Sequence, residues 1–289
     1  LYGTLLDGGV EIVPVLTGYI DEKRVREYRR FLADDHPRPV DVGYRTIGRP
    51  VPWFGRHGFL KEQIAHRFAT ALRSTGLRPD ISTEDKDSLL ATRWYDFLGS
   101  CRYTLGVEGG TSILDRDGSV RQRTDAYVAA HPGASFEAVE AACFPGLDGS
   151  FAGFAVSPRH LEACMTGTCQ ILTAGTYSGV LHAGLHYIPV AKDLGDVEAV
   201  VASLADETRR RRIVGQAYRD IVESGRYSMA RYPEAVIGDE SAYPQRPRSL
   251  RTRLVMRAVH LALRLLDAAD RIIAIVWVGT ATWRGKRPR

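Results

Sequence analysis

Residues 161–179 read LEACMTGTCQILTAGTYSG, and three kinds of group in that stretch could do chemistry. Glu162 supplies a carboxylate, which can accept two hydrogen bonds from a vicinal diol such as a ribose. Gly175 and Gly179 bound a turn whose amides could approach a phosphate closely, because glycine lacks a Cβ. Thr176 and Ser178 add hydroxyl donors, and Tyr177 adds a ring that could stack or donate. The expectation is that Glu162 and segment 175–179 face one crevice, where one nucleotide would touch both. A lone helix glutamate is usually just solvated, so the pairing with the turn carries the argument.

Two further segments offer groups of the same kind. Segment 47–58 holds Arg49, Arg56 and His57, with Arg45 just before it and Lys61 in the first turn of the helix that follows. Amides at a helix start plus nearby cations suit a phosphate or diphosphate. Neither a Walker loop nor the dinucleotide glycine fingerprint is present, and a loop of solvated arginines is the competing reading. Segment 106–119, GVEGGTSILDRDGS, places Glu108, Asp115 and Asp117 among glycines and hydroxyls. Glu108 is the candidate catalytic carboxylate, as a base or a partner for a sugar hydroxyl. Asp115-x-Asp117 has metal-like spacing, but Asp117-Gly118 reads better as a turn. His182 and His186 flank Gly184 off any clear helix, and Trp53-Phe54 reads as packing. No metal or other cofactor is expected.

The elements that must position these groups alternate. Strands are expected over 10–20, 40–46, 80–83, 102–110, around CQILTA and around HYIPVA. Helices are expected after Asp21, over 59–76, in DSLLATRWYDFLGSC, RQRTDAYVAAH, SFEAVEAACF and PRHLEACMTG, and over 196–224. Short apolar strands alternating with helices predict an α/β, Rossmann-like doubly wound parallel sheet. Ligands on such sheets bind beyond the carboxyl ends of the strands, which selects segments 47–58, 106–119 and 174–186.

Bulk properties set bounds. At 289 residues, with 44% apolar and 25% charged, the chain is ordinary for a globular protein with one large or two modest domains. The net charge of +5 is concentrated from Arg246 onward, which fits an anionic surface or a solvated tail. Cys101, Cys143, Cys164 and Cys169 make no C-x-x-C pair, so buried thiols in a reducing cytoplasm are the plain reading. No signal peptide is visible, and the apolar stretch from Ile272 to Trp283 is about half the length of a spanning helix.

The stretch SPRHLEACMTGTCQILTAGTYSGVLHAGLHYIPVAKDLGDVEAVV, with GRYSMARYPEAVI behind it, resembles the C-terminal, nucleotide-sugar donor domain of GT-B glycosyltransferases. More narrowly, GYR at 43–45, WYDFLGS at 94–100 and GVEGGTS at 106–112 resemble segments of the bacterial spore-protein-type glycosyltransferase group. The resemblance covers roughly residues 38–237. It implies a hexosyltransferase-like enzyme that needs no metal. It assigns Glu162 to the nucleotide ribose, Gly175, Thr176, Tyr177, Ser178 and Gly179 to the diphosphate and sugar, and Arg45 and Lys61 to the diphosphate. Two departures stand out. Retaining members of the wider fold often carry a second glutamate eight residues before the ribose one, and here that position is Phe154. Residues 1–37 read as the remnant of an N-terminal domain and its linker, so this chain would supply mainly the donor-binding half and could be inactive alone.

After a Pro/Arg-rich linker at 238–250, residues 251–289 read as a basic amphipathic helical tail. Segment 251–273 is a candidate for peripheral membrane contact, or for packing on its own protein. The expected activity is transfer of a sugar from a nucleotide-sugar donor to an unknown glycan, lipid or protein acceptor, at the cytoplasmic face. Nucleic acid is not an expected partner. A non-catalytic envelope or coat interaction protein, and a nucleotide-sugar epimerase, are the alternatives.

Overall fold

The structure, a computed structural model, describes residues 15–46 and 52–233. The linker and tail at 238–289, Arg49 and most of residues 1–37's leading half lie outside those residues.

Five strands form one fully parallel sheet in the order β2-β1-β3-β6-β7: β1 Val40–Arg45, β2 Pro79–Ser82, β3 Cys101–Gly106, β6 Cys169–Thr173 and β7 Ile188–Val190. Register is set by pairs such as Val42 opposite Tyr103 and Tyr103 opposite Cys169. All five residues of β6 are buried, as expected of a strand with both faces covered. The predicted α/β fold with a doubly wound parallel sheet is what the chain adopts. Of the segment 10–20, read as a strand running into a loop, only 15–20 lies within the described residues, and it is irregular with a single bridge from Ile20 to Ser228.

Helices cover both faces. On one, α2 (His57–Leu72) sets Ile64, Phe68 and Leu72 against Val42, Tyr103 and Ile171. Each such side chain contributes about 1.5–3 kcal/mol by burial. On the other, α1 (Glu22–Tyr28) and α6 (Pro158–Met165) bury Tyr28, Leu161, Cys164 and Met165 around Leu172 and Tyr177. Asp21 starts α1 by accepting from the Lys23 amide at 2.8 Å. Helix α3 (Thr92–Ser100) leads into β3, and packs Trp94, Phe97 and Leu98. It begins five residues later than the sequence pattern implies, after Ala91 takes a left-handed φ of 52°.

Between β3 and β6 the chain leaves the sheet. β4 (Gly109–Thr111) pairs antiparallel with β5 (Gly153–Ala155), and α4 (Ser119–Ala130) and α5 (Phe136–Cys143) lie between them in sequence. These two helices do not cover the sheet, as simple alternation would have them do. They close a small core of their own around Ile113, Val120, Phe136, Val139 and Phe144. Gly110 makes the ribbon feasible, since a Cβ there would lie within van der Waals overlap of the Gly153 carbonyl and φ is +120°. Asp115 accepts from the Val120 and Arg121 amides, and Asp117 from the Ser119 amide, so both serve the start of α4. The turn reading of Asp117 is the one the structure uses. After β7 come α7 (Val197–Ala202) and α8 (Glu207–Ala217), which runs on as a π-helical turn over Tyr218–Glu223.

Candidate functional site

The sheet order reverses between β1 and β3, so the crevice beyond their carboxyl ends is where a ligand is expected on an open parallel sheet. A cleft of about 840 Å³ opens there. Tyr44 and Thr46 line it from the end of β1, and Gly106, Val107 and Gly109 from the end of β3. The starts of α2 and α6 also reach it, through Gly58 and Lys61 and through Ser157–His160. Two helix amino ends at one cleft bring partial positive charge.

Glu162 lines this cleft from α6. Trp94 donates its indole N–H to Glu162 Oε2 at 2.7 Å, and the Tyr95 hydroxyl donates to Oε1 at 3.1 Å. Each carboxylate oxygen therefore has one fixed donor and keeps acceptor capacity for another. Lys61 lines the same cleft and forms no ion pair with a carboxylate among the described residues. Its surroundings hold its pKa below the ordinary lysine value, burial being the larger cause and the nearby Arg159 guanidinium the smaller. Arg159 donates to the Arg45 carbonyl at 2.6 Å and lies over the Trp94 ring at 4.8 Å. It too pairs with no carboxylate among the described residues.

Around these groups the wall is fixed. The buried His160 accepts from the Ser157 amide on Nδ1 at 3.0 Å, closing the amino end of α6, and burial pushes its pKa down to about 3. It is neutral with its proton on Nε2. Gln170 on β6 is 1% exposed and lines the cleft floor. Its Nε2 donates to Cys164 Sγ at 3.3 Å, while its Oε1 has no partner among the described residues.

The GTYSG turn does not meet Glu162 in this cleft, contrary to the sequence expectation. None of Gly175–Gly179 lines it. Their partner is the other carboxylate, Glu108. Its Oε1 accepts from the Thr176 amide at 3.0 Å, the Thr176 hydroxyl at 3.1 Å and the Tyr177 amide at 2.7 Å. Two successive amides converging on an anion form a nest, and here the anion is internal. Tyr177 and Ser178 both hold positive φ, 46° and 55°, to shape it. Gly175 is required by close approach, because a Cβ would sit 2.4 Å from Glu108 Oε2. Tyr177 is fully buried and gives its hydroxyl to the Thr173 carbonyl at 2.8 Å, so it offers no ring for stacking. Ser178 Oγ accepts from the Val156 amide at 3.1 Å. Thr176, Ser178 and Gly179 remain exposed at the surface of the turn.

Arg45 is also placed elsewhere. Its guanidinium pairs with Asp80 on the neighbouring strand at 2.8 Å and lies over Phe97 at 4.3 Å, so it braces the sheet edge and lines no part of the cleft. Glu108 itself is 2% exposed, a position that suits holding the turn. Its carbonyl takes the His57 Nε2 hydrogen at 2.9 Å, and His57 packs at 4.5 Å on Phe154, with Lys192 over the same ring at 5.3 Å. Trp94, Tyr95 and Arg159 escaped sequence reasoning. Arg159 had a local signal, three residues before Glu162 and so on the same helix face; the two aromatics, far away in sequence, had none.

The cleft thus combines a held carboxylate, two cations without an ion-pair partner among the described residues, and two helix amino ends. All four cysteines are buried and free, and burial pushes Cys101, Cys164 and Cys169 up to about 12, so they supply no nucleophile. Among the described residues no three His, Cys, Asp or Glu side chains converge as a metal site would require, and no helix is long and apolar enough to cross a membrane.

No protein-family model matches the sequence, and no curated protein matches it. Among solved structures the chain is similar to TarM, with a TM-score of 0.40 and 9% identity over 79% of this chain and 40% of that one. It is similar also to Anabaena Alr3699/HepE in complex with UDP, with a TM-score of 0.40, 10% identity, 83% of this chain and 61% of that one. For HepE in complex with UDP-glucose the values are 0.40, 11%, 81% and 58%. The chain spans less than two thirds of the length of each.

Proposed function

We propose that this chain carries the donor-binding half of a glycosyltransferase, of GT-B type, that uses a nucleoside-diphosphate sugar. The observation that carries the reading is one cleft at the sheet's switch point, lined by Glu162 at one place and by the unpaired cations Lys61 and Arg159 at another. Glu162 accepts the two ribose hydroxyls, its direction fixed by Trp94 and Tyr95. Lys61, Arg159 and the amino ends of α2 and α6 take the diphosphate.

In transfer, the bond between the anomeric carbon and the diphosphate oxygen breaks. A new bond forms from that carbon to an acceptor hydroxyl, whose proton passes to solvent water. Negative charge grows on the departing diphosphate, and cations already aimed at it favour that change. The test is calorimetric titration with UDP-, GDP- and dTDP-sugars. One of them should bind to the wild type and fail to bind to Glu162→Ala. Silence from all three in the wild type sinks the reading.

One observation favours a second reading, a non-catalytic binding module. Glu108, the candidate catalytic carboxylate, has three donors on one oxygen, and Phe154 stands between His57 and Lys192 rather than supplying an acid. Binding of a donor without turnover toward any acceptor hydroxyl, water included, would select it.

A further inference from the structure

A second cavity, of about 1010 Å³, lies at the opposite edge of the sheet. Arg38 just before β1, Arg102 at the start of β3 and Gly167 just before β6 put it at the amino ends of the strands. Helix α1 and one face of α8, from Glu207 to Gly215, complete its walls. Seven arginines line it against three carboxylates, Asp34, Glu207 and Glu223.

The positive charge is not balanced locally. Arg102, Arg210 and Arg211 share Glu207 at 2.8, 2.6 and 3.0 Å, with Asp41 also pairing Arg102 at 3.0 Å and Asp34 pairing Arg211 at 3.5 Å, and the three guanidiniums, Arg210 first, hold the Glu207 carboxyl far below the usual range. The run Arg209–Arg212, which reads in sequence as a solvated helix face, is therefore partly turned into this wall. Arg38 forms no ion pair with a carboxylate among the described residues. It donates to the carbonyls of Phe31, Leu98, Cys101 and Thr166 and to the Thr168 hydroxyl, and burial, then repulsion from Arg210, lowers its pKa to about 10. Three arginines on the cavity's flank, Arg26 on α1, Arg29 just after it and Arg219 beyond α8, form no ion pair with any carboxylate among the described residues. Arg219 sits in the π-helical turn. Such turns are rare and concentrate at functional sites.

We infer that this cavity is a second binding site, separate from the donor cleft, for a phosphate-bearing anion with more than one negative charge. Guanidinium forks match phosphate oxygens, and a concave cationic wall raises the local concentration of anions. The volume exceeds what one phosphate fills, and Val25, Phe31, Val214 and Tyr218 give it apolar wall between the arginines. The ligand therefore carries an apolar or ring portion beside its phosphates. A soluble oligophosphate compound and a phospholipid headgroup share that chemistry.

The test uses the full 289-residue chain with Lys61→Ala and Arg159→Ala, which removes the cations of the donor cleft. Calorimetry with inorganic tripolyphosphate should still show binding. Adding Arg26→Ala, Arg29→Ala and Arg219→Ala should weaken it about tenfold or more, and lysine at those three positions should recover part of the loss. The three side chains are exposed, so an unchanged melting temperature accompanies the result. Flotation with phosphatidylcholine vesicles containing phosphatidic acid separates the two sources. Retention that the triple alanine variant loses assigns a headgroup, and tripolyphosphate binding without such retention assigns a soluble ligand. Titration and flotation both unchanged in the triple variant overturn the inference. Failure of the donor cleft to bind a nucleotide-sugar leaves this outcome untouched, since the cleft is disabled from the start.

Discussion

Trp94 holds Glu162 and Arg159 at once: its indole N–H reaches the carboxylate at 2.7 Å while its ring lies 4.8 Å beneath the guanidinium. A single side chain thus sets the distance between the cleft's anion and one of its cations. Trp94→Phe keeps the ring and removes the N–H. Donor affinity is expected to fall by about 1 kcal/mol, roughly fivefold, because a charged acceptor loses its guide. The preference for a ribonucleoside over a 2′-deoxyribonucleoside diphosphate should narrow with it. An equal loss for both in competition titrations would show that Trp94 only supports the fold.

Lys61 gives the cleft a pH dependence. Burial first, then the Arg159 guanidinium, lowers its pKa from 10.5, so the ammonium is lost at lower pH than an ordinary lysine's. Nucleotide-sugar affinity should decline on the alkaline side starting below pH 10.5. Lys61→Arg should move that decline upward, since a guanidinium stays protonated. A profile identical in the two proteins would remove Lys61 from the diphosphate.

Arg45 and Arg159 separate bracing from binding. Arg159→Ala should weaken donor binding about tenfold with little change in melting temperature, as expected for an exposed cation facing phosphate. Arg45→Ala should do the reverse, leaving affinity within about twofold while costing about 1–3 kcal/mol of stability through the orphaned contacts to Asp80. Matched calorimetry and urea unfolding on both variants decide it.

Glu108 is expected to behave as a structural carboxylate. Glu108→Ala strands three donors around the Thr176–Tyr177 turn and should cost about 3 kcal/mol. Gly175→Ala should cost about 1–3 kcal/mol by forcing that carboxylate aside. If Glu108→Ala abolishes turnover while urea unfolding stays at the wild-type midpoint, the residue is catalytic and the turn is held by other means.

His160 ties stability to mild acid. Its folded pKa of about 3 lies below the ordinary 6.5, so between those values the unfolded chain binds the extra proton. The stabilising contribution is complete above pH 6.5 and is lost progressively as pH falls toward 3. From pH 7.5 to pH 5 the loss should be about 2 kcal/mol. His36 and His57, also lowered mainly by burial, act in the same direction, so the His160→Gln variant is the measurement: its pH slope should be shallower than the wild type's.

The sheet was legible because its strands are short apolar runs between helices of clear period, and β1, β3 and β6 fall where the pattern puts them. Legibility ended where contacts span the sequence. Glu162 and Lys61 could be singled out from helix starts and residue type. Which carboxylate the GTYSG turn would hold could not, because Glu108 and Tyr177 meet across 69 positions. Arg45 points from its strand end toward Asp80, and nothing local distinguishes that from pointing at a phosphate. Asp117 was the opposite case: an Asp-Gly pair at a helix start states its own role, while the capping role of Asp115 had no such sign.

The β4–β5 ribbon and its two helices bear on how this domain assembles. β3 ends at Gly106 and its neighbour β6 begins at Cys169, so zipping those strands requires the ends of a long segment to meet. Loop-closure entropy grows only logarithmically with length, and a segment that first gathers around its own small apolar centre shortens the effective span further. β1, β2 and β3 are then the early partners, and the half of the sheet that carries Glu162 is completed late, after the excursion has collapsed.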